Sequence, residues 1–156
     1  MEKVFMENGA SFAGVMSQAD TYFNVPEGRL KFREINGERF EMIYYNRDES
    51  SPEEMKSTYD VIPFKDASMK ELFARVLGVK VIVEKKRRLL LKRNARIHLD
   101  EVKNLGSYLE FEVVSTADGG DAGDAVLLHE LKELAAPFVE EEINLSYSDL
   151  ITRIKS

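Results

Sequence analysis

The chain has 156 residues, of which 44% are hydrophobic and 32% charged, a composition typical of a folded globular protein and not of a disordered one. The net charge of −6 argues against a non-specific nucleic-acid binder, and the lack of cysteine excludes disulfides and thiolate metal sites. Apolar runs are too short to span a membrane. The lack of cysteine fits a reducing cytosol, so we expect a cytoplasmic protein, and the length of 156 residues fits a single domain over residues 1–156.

Turn residues divide the first half of the chain into short periodic segments. A short helix over Glu2–Asn8 is expected before strands over Ser11–Phe23, Arg29–Ile35, Arg39–Arg47 and Met55–Phe64. The Asn36-Gly37 pair between two of these strands predicts a tight hairpin. The segment Ala67–Leu77 has the apolar spacing of an amphipathic helix, with apolar residues at Met69, Leu72, Phe73, Val76 and Leu77.

The second half continues with a long strand over Val79–Arg93 and a hairpin within residues 94–114. Asp124 is predicted to cap a helix running to Ala135, whose buried face would carry Val126, Leu127, Leu131 and Leu134. A last short helix is expected over Tyr147–Ile154. The predicted fold is α+β, with six or seven antiparallel strands and flanking helices.

The hairpin within residues 94–114 has one apolar face and one charged face, because strand side chains alternate between faces. The charged face holds Arg96, His98, Asp100, Tyr108, Glu110 and Glu112. Its three carboxylates suit a hard cation such as Mg²⁺, which is bound by carboxylates together with substrate phosphates. The alternative is a half-solvated antiparallel sheet whose outer face is charged.

Six cations lie on the corresponding faces of the predicted strands: Lys31, Arg33, Arg47, Lys85, Arg87 and Arg96. If the sheet curls into a barrel with this face inside, the unpaired charges would require a polyanionic ligand and a metal. Arginine suits bidentate phosphate contacts and lysine a point contact. An open sheet with a wet or RNA-binding face is the alternative, although Tyr45 and Tyr108 provide few aromatic rings for RNA.

Several motifs in this order resemble the CYTH superfamily of triphosphate tunnel proteins, and within it the class IV adenylyl cyclase branch. They are Asp20-Thr21-Tyr22-Phe23, Gly28-Arg29-Leu30-Lys31-Phe32-Arg33, Tyr44-Tyr45-Asn46-Arg47, Lys85-Lys86-Arg87, Arg96-Ile97-His98-Leu99-Asp100-Glu101-Val102, Leu105-Gly106-Ser107 and Leu109-Glu110-Phe111-Glu112. The resemblance covers residues 10 to 150 and implies an eight-stranded antiparallel β-barrel, or tunnel.

The resemblance also implies a site and a function. The six cations named above would contact a triphosphate such as ATP, and Asp100, Glu110 and Glu112 would be catalytic and hold Mg²⁺ or Mn²⁺. His98 lies within a matched motif without a clear role. The implied reaction is ATP to cyclic AMP and pyrophosphate. The alternatives are hydrolysis of inorganic, thiamine or nucleoside triphosphate, and binding of nucleotide or polyphosphate without catalysis.

One departure from the family pattern concerns the first strand, which in the family carries a Glu-x-Glu-x-Lys motif. This motif is absent here, so we expect an N-terminally truncated tunnel with an open edge and an incomplete metal site. A second copy of the chain, or another strand-donating partner, would complete that edge. No membrane or nucleic-acid partner is expected.

Overall fold

The computed structural model describes residues 1–48, 56–114, 121–143 and 145–155, with no side chains described at 47, 48, 56–58, 121, 122 and 155. The helices are α1 (Glu2–Glu7), α2 (Ser68–Leu77), α3 (Asp121–Ala135) and α4 (Tyr147–Lys155), with a 3₁₀ turn at Ala136–Phe138. The strands are β1 (Ser11–Phe23), β2 (Arg29–Ile35), β3 (Arg39–Asp48), β4 (Lys56–Phe64), β5 (Val79–Lys92), β6 (Ala95–Val102) and β7 (Gly106–Val113).

The strands form one antiparallel sheet in the order β4-β3-β2-β1-β5-β6-β7. This sheet and its flanking helices confirm the predicted α+β class. The hairpin between β2 and β3 turns at Asn36 and Gly37, which have φ angles of 55° and 68°. Positive φ at both central residues is the geometry that an Asn-Gly turn favours, so this sequence signal sets the register of the two strands.

The chain divides into two compact units. The first unit comprises Met1–Val15, Lys86–Glu101 and Gly106–Ile143, and the second comprises Met16–Lys85, Val102–Leu105 and Asn144–Ser156. No helix among the described residues is long and apolar enough to cross a membrane.

The core of the first unit confirms the apolar face predicted for the β6–β7 hairpin. Ile97 and Leu90 are fully buried with Phe5 of α1 and with Leu127 and Leu131 of α3. The hairpin residues that pack against this cluster are Leu99, Leu109, Phe111 and Val113. The Phe5 and Phe111 rings meet edge to face, with centroids 5.9 Å apart.

Two details of α3 differ from the predictions. The helix already includes Asp121, so the predicted N-terminal cap at Asp124 is wrong. The Asp124 carboxylate instead accepts a hydrogen bond from Asn94 Nδ2 at 2.8 Å. Val126 is 66% exposed, because the face that packs on the sheet is centred on Leu127 and Leu131.

The second unit is built around Phe23, Phe32 and Met42, which lie on neighbouring positions of β1, β2 and β3. Four residues of α2 pack against this cluster: Met69, Phe73 and Leu77 follow one another at a spacing of four, and Ala74 lies beside that row. The predicted apolar face of α2 is too wide, since Leu72 and Val76 are exposed. Residues four apart lie along one narrow stripe of a helix, and only that stripe reaches the sheet.

Leu127→Ala should lower the free energy of unfolding by about 2–5 kcal/mol, because it removes a fully buried side chain from the first core. Val126→Ala is the matched control in the same turn of α3 and should change stability by less than about 0.5 kcal/mol. Urea denaturation of both variants measures these values. Equal losses in the two variants would contradict the described orientation of α3.

Candidate functional site

A buried carboxylate binds three cations in the second unit, and we call these four side chains the Asp20 cluster. The Asp20 Oδ2 atom lies 3.2 Å from Lys31 Nζ and 3.4 Å from Lys85 Nζ. Arg33 donates two hydrogen bonds of 2.8 Å, from Nε to Oδ1 and from Nη2 to Oδ2. Asp20 is completely inaccessible to solvent. A single anion thus orients two lysines and one arginine.

The strand register explains why these residues meet. Asp20 of β1 pairs directly with Arg33 of β2, and Tyr22 pairs with Lys31. Residues two apart on a strand point to the same side, so all four lie on one face. Lys85 reaches this face from β5, which neighbours β1 in the sheet. Local alternation and hairpin register together assemble the cluster.

The charges of the cluster stabilise one another. Burial alone would raise the pKa of the Asp20 carboxyl, but Lys31, Lys85 and Arg33 outweigh this effect and hold the pKa well below its usual range. Burial alone would lower the pKa of Arg33, and the Asp20 carboxylate raises it above its usual range instead. The Asp20 carboxyl and the Arg33 guanidinium are therefore both ionised near neutral pH.

Tyrosine rings surround the two lysines. Lys31 Nζ lies 5.4 Å from the ring centroids of both Tyr22 and Tyr45, whose hydroxyl oxygens are 3.4 Å apart. Lys85 Nζ lies 5.4 Å from the ring of Tyr147. Burial, helped by the nearby Asp20 charge, raises the pKa of Tyr22 to about 12. Tyr22 therefore remains a neutral hydrogen-bonding group near pH 7 and does not serve as a base.

Helix α4 is attached to the second unit by an ion pair. Asp149 accepts a hydrogen bond of 2.8 Å from Arg29 Nη2 of β2. The Ser146 hydroxyl accepts a hydrogen bond from the Asp149 backbone N–H and lies 2.8 Å from the Ser148 hydroxyl. Ser148 and Ile151 are buried. These contacts fix the helix that brings Tyr147 to Lys85.

The first unit contains a second buried ion pair. Arg87 donates two hydrogen bonds of 2.8 Å to Asp100, one from Nε to Oδ1 and one from Nη2 to Oδ2. Both side chains are buried. Asp100 therefore orients the guanidinium of Arg87 in the way that Asp20 orients Arg33.

His98 lies between the two glutamates of β7. His98 Nδ1 is 3.3 Å from Glu110 Oε1, and Nε2 is 3.7 Å from Glu112 Oε2. The imidazole is buried, whereas the side chains of Glu110 and Glu112 are 46% and 43% exposed. Both carboxylates are therefore accessible to a solute, and the imidazole orients the carboxylate of Glu110.

The structure brings the predicted site residues together in groups. Lys31, Arg33 and Lys85 share the Asp20 cluster, while Arg87 and Asp100 form the buried pair of the first unit. Arg96 is exposed, and the side chain of Arg47 lies outside the described residues.

The β5 faces also agree with the sequence. Lys85 and Arg87 are buried, and Lys86 and Arg88 are exposed, as the alternation predicts. The expectation of a simply solvated charged face is wrong for His98 and Asp100, which are buried. Charged side chains on this face are covered where a counter-ion is present.

Among the described residues, no group of three or more acidic, histidine or cysteine side chains is arranged to hold a metal ion. Each oxygen of Asp100 accepts one hydrogen bond from Arg87 and retains a further lone pair. The remaining pair, Glu110 and Glu112, still fits Mg²⁺ chemically, because this ion is commonly bound by one or two carboxylates and completes its shell with water and phosphate oxygens.

The sequence analysis missed the central residue of the cluster, Asp20. A signal was present: an acid on the strand before Lys31 and Arg33, at a position whose alternation places it on their face. The aromatic neighbours Tyr22 and Tyr147 were missed as well. Tyr147 gave no such signal, because its contact with Lys85 depends on where α4 packs.

The family model of the CYTH domain matches residues 4–143, and the chain belongs to the CYTH family. A search of curated proteins finds no match.

Solved structures share the fold. The PH1012 protein from Pyrococcus horikoshii OT3 is 22% identical, with a TM-score of 0.82 over 96% of this chain and 90% of that one. A putative adenylate cyclase from Vibrio parahaemolyticus is 16% identical, with a TM-score of 0.70 over 97% and 89%. The putative adenylyl cyclase HpAC1 from Hippeastrum, described as having a dominant triphosphatase activity, is 14% identical, with a TM-score of 0.63 over 92% and 84%.

Asp20→Asn should lower the free energy of unfolding at pH 7 by about 3–5 kcal/mol, because two buried lysines and a partly buried arginine lose their counter-ion. The folded-state pKa of Asp20 is depressed, so its contribution is present above the unfolded-state pKa and is lost as the pH falls through the folded-state value. The difference between wild type and variant should therefore shrink below about pH 4.

Urea denaturation between about pH 3 and pH 7 measures this difference. The control is Asp60→Asn on β4, where the side chain is exposed and the change should be within about 0.5 kcal/mol. A difference between wild type and Asp20→Asn that stays constant over the pH range would contradict the ion-pair account.

Proposed function

We propose that the chain binds a triphosphate through the Asp20 cluster and converts ATP to cyclic AMP and pyrophosphate with the help of a divalent cation. The observation that carries this proposal is the cluster itself. Within these four side chains, three positive charges face one negative charge, which leaves an excess of two positive charges at a largely buried position. Such an excess favours a bound polyanion.

The side-chain types of the cluster suit phosphate oxygens. Arg33 is a planar donor whose orientation is fixed by Asp20, and Lys31 and Lys85 are point donors on either side. A bound triphosphate would share these donors with Asp20 and would not need to reorganise them. Membership of the CYTH family supports this assignment, and Arg47, Arg87 and Arg96 remain proposed phosphate contacts.

Glu110 and Glu112 are the residues proposed to hold Mg²⁺ or Mn²⁺. Their partly exposed carboxylates provide the oxygen ligands, and His98 Nδ1 lies within hydrogen-bond distance of Glu110 Oε1 at 3.3 Å, which would orient that carboxylate. Asp100 remains a proposed ligand of the cation and also positions Arg87, which donates a hydrogen bond to each of its oxygens. A bound cation would neutralise charge on phosphate oxygens as the reaction proceeds.

In the proposed reaction the ribose 3′-hydroxyl attacks the α-phosphorus, and the bond to the bridging oxygen of the pyrophosphate breaks. The hydroxyl proton leaves to solvent or to a nearby base, and pyrophosphate is released. Lys31, Lys85 and Arg33 would stabilise the charge that develops on the pyrophosphate oxygens. The likeness to the putative adenylate cyclase from Vibrio parahaemolyticus supports this choice.

The second candidate is hydrolysis of a triphosphate by water in the same site. It is favoured by the structural likeness to HpAC1, which is described as having a dominant triphosphatase activity. Both reactions use the same phosphate contacts and differ in the nucleophile and in the phosphorus that it attacks. Their products therefore separate them.

Incubation of the purified chain with ATP and Mn²⁺ should give cyclic AMP and pyrophosphate in equal amounts. Glu110→Gln and Glu112→Gln should each reduce the metal-stimulated rate at least about tenfold, because an amide replaces a charged ligand. Chromatography of the products and circular dichroism of the variants provide the measurements. Glu101→Gln, exposed on β6, is the control that should retain the rate.

The outcomes distinguish the candidates. If the products are inorganic phosphate and ADP, the chain is a triphosphatase and not a cyclase. Binding without any turnover would leave the chain as a non-catalytic nucleotide binder, in agreement with the lack of a three-residue metal cluster among the described side chains. Full activity in both glutamate variants would refute their proposed role.

Lys85→Met should weaken binding of ATP by about tenfold or more, because it removes a buried cation from the phosphate-binding cluster. Lys86→Met is a matched control on the adjacent position, since its side chain is exposed on the other face of β5. Isothermal titration without metal measures both affinities. Similar losses in the two variants would mean that general electrostatic attraction, and not the cluster, binds the nucleotide.

A further inference from the structure

A buried acceptor without a partner lies beside the Asp20 cluster. Gln18 is only 5% exposed, and its Oε1 atom has no hydrogen-bond partner among the described residues. Its Nε2 atom donates to Met16 Sδ at 3.1 Å. Because a thioether sulfur can only accept, this contact places the amide nitrogen towards Met16 and leaves the oxygen as the unpaired atom.

An unpaired buried acceptor is costly. A buried polar group without a partner destabilises the folded state, and such groups are rare in native proteins unless a solute or water satisfies them. An apolar side chain of similar size would fill the same place without this cost. The presence of glutamine at position 18 therefore points to a bound donor.

The position of Gln18 indicates which solute could provide that donor. The pairs Gln18–Ile35, Asp20–Arg33 and Tyr22–Lys31 follow one another without interruption along β1 and β2. Gln18 therefore lies on the same face as Asp20, one step of about 6.5 Å along the strand. A ligand with its phosphates at the cluster would place its next chemical group near Gln18.

We propose that Gln18 Oε1 accepts a hydrogen bond from a hydroxyl or amino group of the ligand, and that the ligand is therefore a nucleoside triphosphate and not inorganic triphosphate. The inference rests on the proposed function, because it takes phosphate binding at the Asp20 cluster as its starting point. Inorganic triphosphate offers acceptor oxygens at alkaline pH and no neutral donor, so it would leave the glutamine oxygen unsatisfied.

The test compares ATP with inorganic triphosphate in the wild type and in Gln18→Leu by isothermal titration at about pH 8.5 without metal. Gln18→Leu should bind ATP about tenfold more weakly, since a lost hydrogen bond to a buried acceptor has an effect of this order. Its affinity for inorganic triphosphate should stay within about twofold of the wild type. Its unfolding midpoint in urea should be equal to or above that of the wild type, because the unpaired acceptor is gone.

Ser17→Ala is the matched control, since Ser17 is the exposed neighbour on the opposite face of β1. It should bind both ligands as the wild type does. In the wild type, 2′-deoxyATP and inosine triphosphate identify the donor: weaker binding of the first assigns the ribose 2′-hydroxyl, and weaker binding of the second assigns the adenine amino group. If neither analogue binds more weakly, the 3′-hydroxyl is the assigned donor.

Three results would overturn the inference. Equal weakening of ATP and inorganic triphosphate would make Gln18 a phosphate contact or a structural residue. Unchanged binding of ATP together with a lower unfolding midpoint would make it a structural polar group. Unchanged binding of both ligands with an unchanged midpoint would leave the glutamine without a role in recognition. Failure of the proposed function itself is distinguishable from these three results, because Lys85→Met would then leave the affinities for ATP and for inorganic triphosphate unchanged.

Discussion

The second unit depends on one interaction, the binding of three cations by the buried carboxylate of Asp20. Strand alternation and hairpin register bring Lys31, Arg33 and Lys85 to one face, and the two buried lysines would each cost several kcal/mol without a counter-ion. Asp20 makes this arrangement tolerable and fixes the direction of each donor. The fold thus holds a set of cationic donors in a fixed arrangement.

The same counter-ion would limit how strongly the proposed triphosphate binds. A phosphate group would share Arg33 and the lysines with Asp20, and only the excess of positive charge over this carboxylate would attract it. Replacing Asp20 by a neutral residue would free the donors but would leave them buried without compensation. Stability and affinity are therefore opposed at this position, as is common where a binding site is built from buried charge.

Periodicity predicted most of the fold, because hairpins, strand faces and buried helix stripes are local properties. The division of β5 into buried Lys85 and Arg87 and exposed Lys86 and Arg88 follows from alternation alone. Alternation also places Asp20 on the face of Lys31 and Arg33, but its role as their counter-ion depends in addition on the register of the hairpin, which pairs it with a residue thirteen positions away. Helix faces were overestimated at Val76 and Val126, since the apolar pattern cannot reveal how much of a helix the sheet covers.

The acidic residues of this sheet differ in what they can do, because their surroundings differ. Asp20 and Asp100 are buried and each accepts two hydrogen bonds from an arginine, which makes them internal counter-ions. Glu110 and Glu112 remain partly exposed beside a buried histidine, which suits them to a ligand from solution. Sequence spacing groups Asp100 with the glutamates, and the structure adds that Arg87 of the neighbouring strand donates to both of its oxygens. Assigning roles to acidic residues on a sheet thus requires knowing which cation lies across the ladder, and in this chain that cation is an arginine at both buried positions.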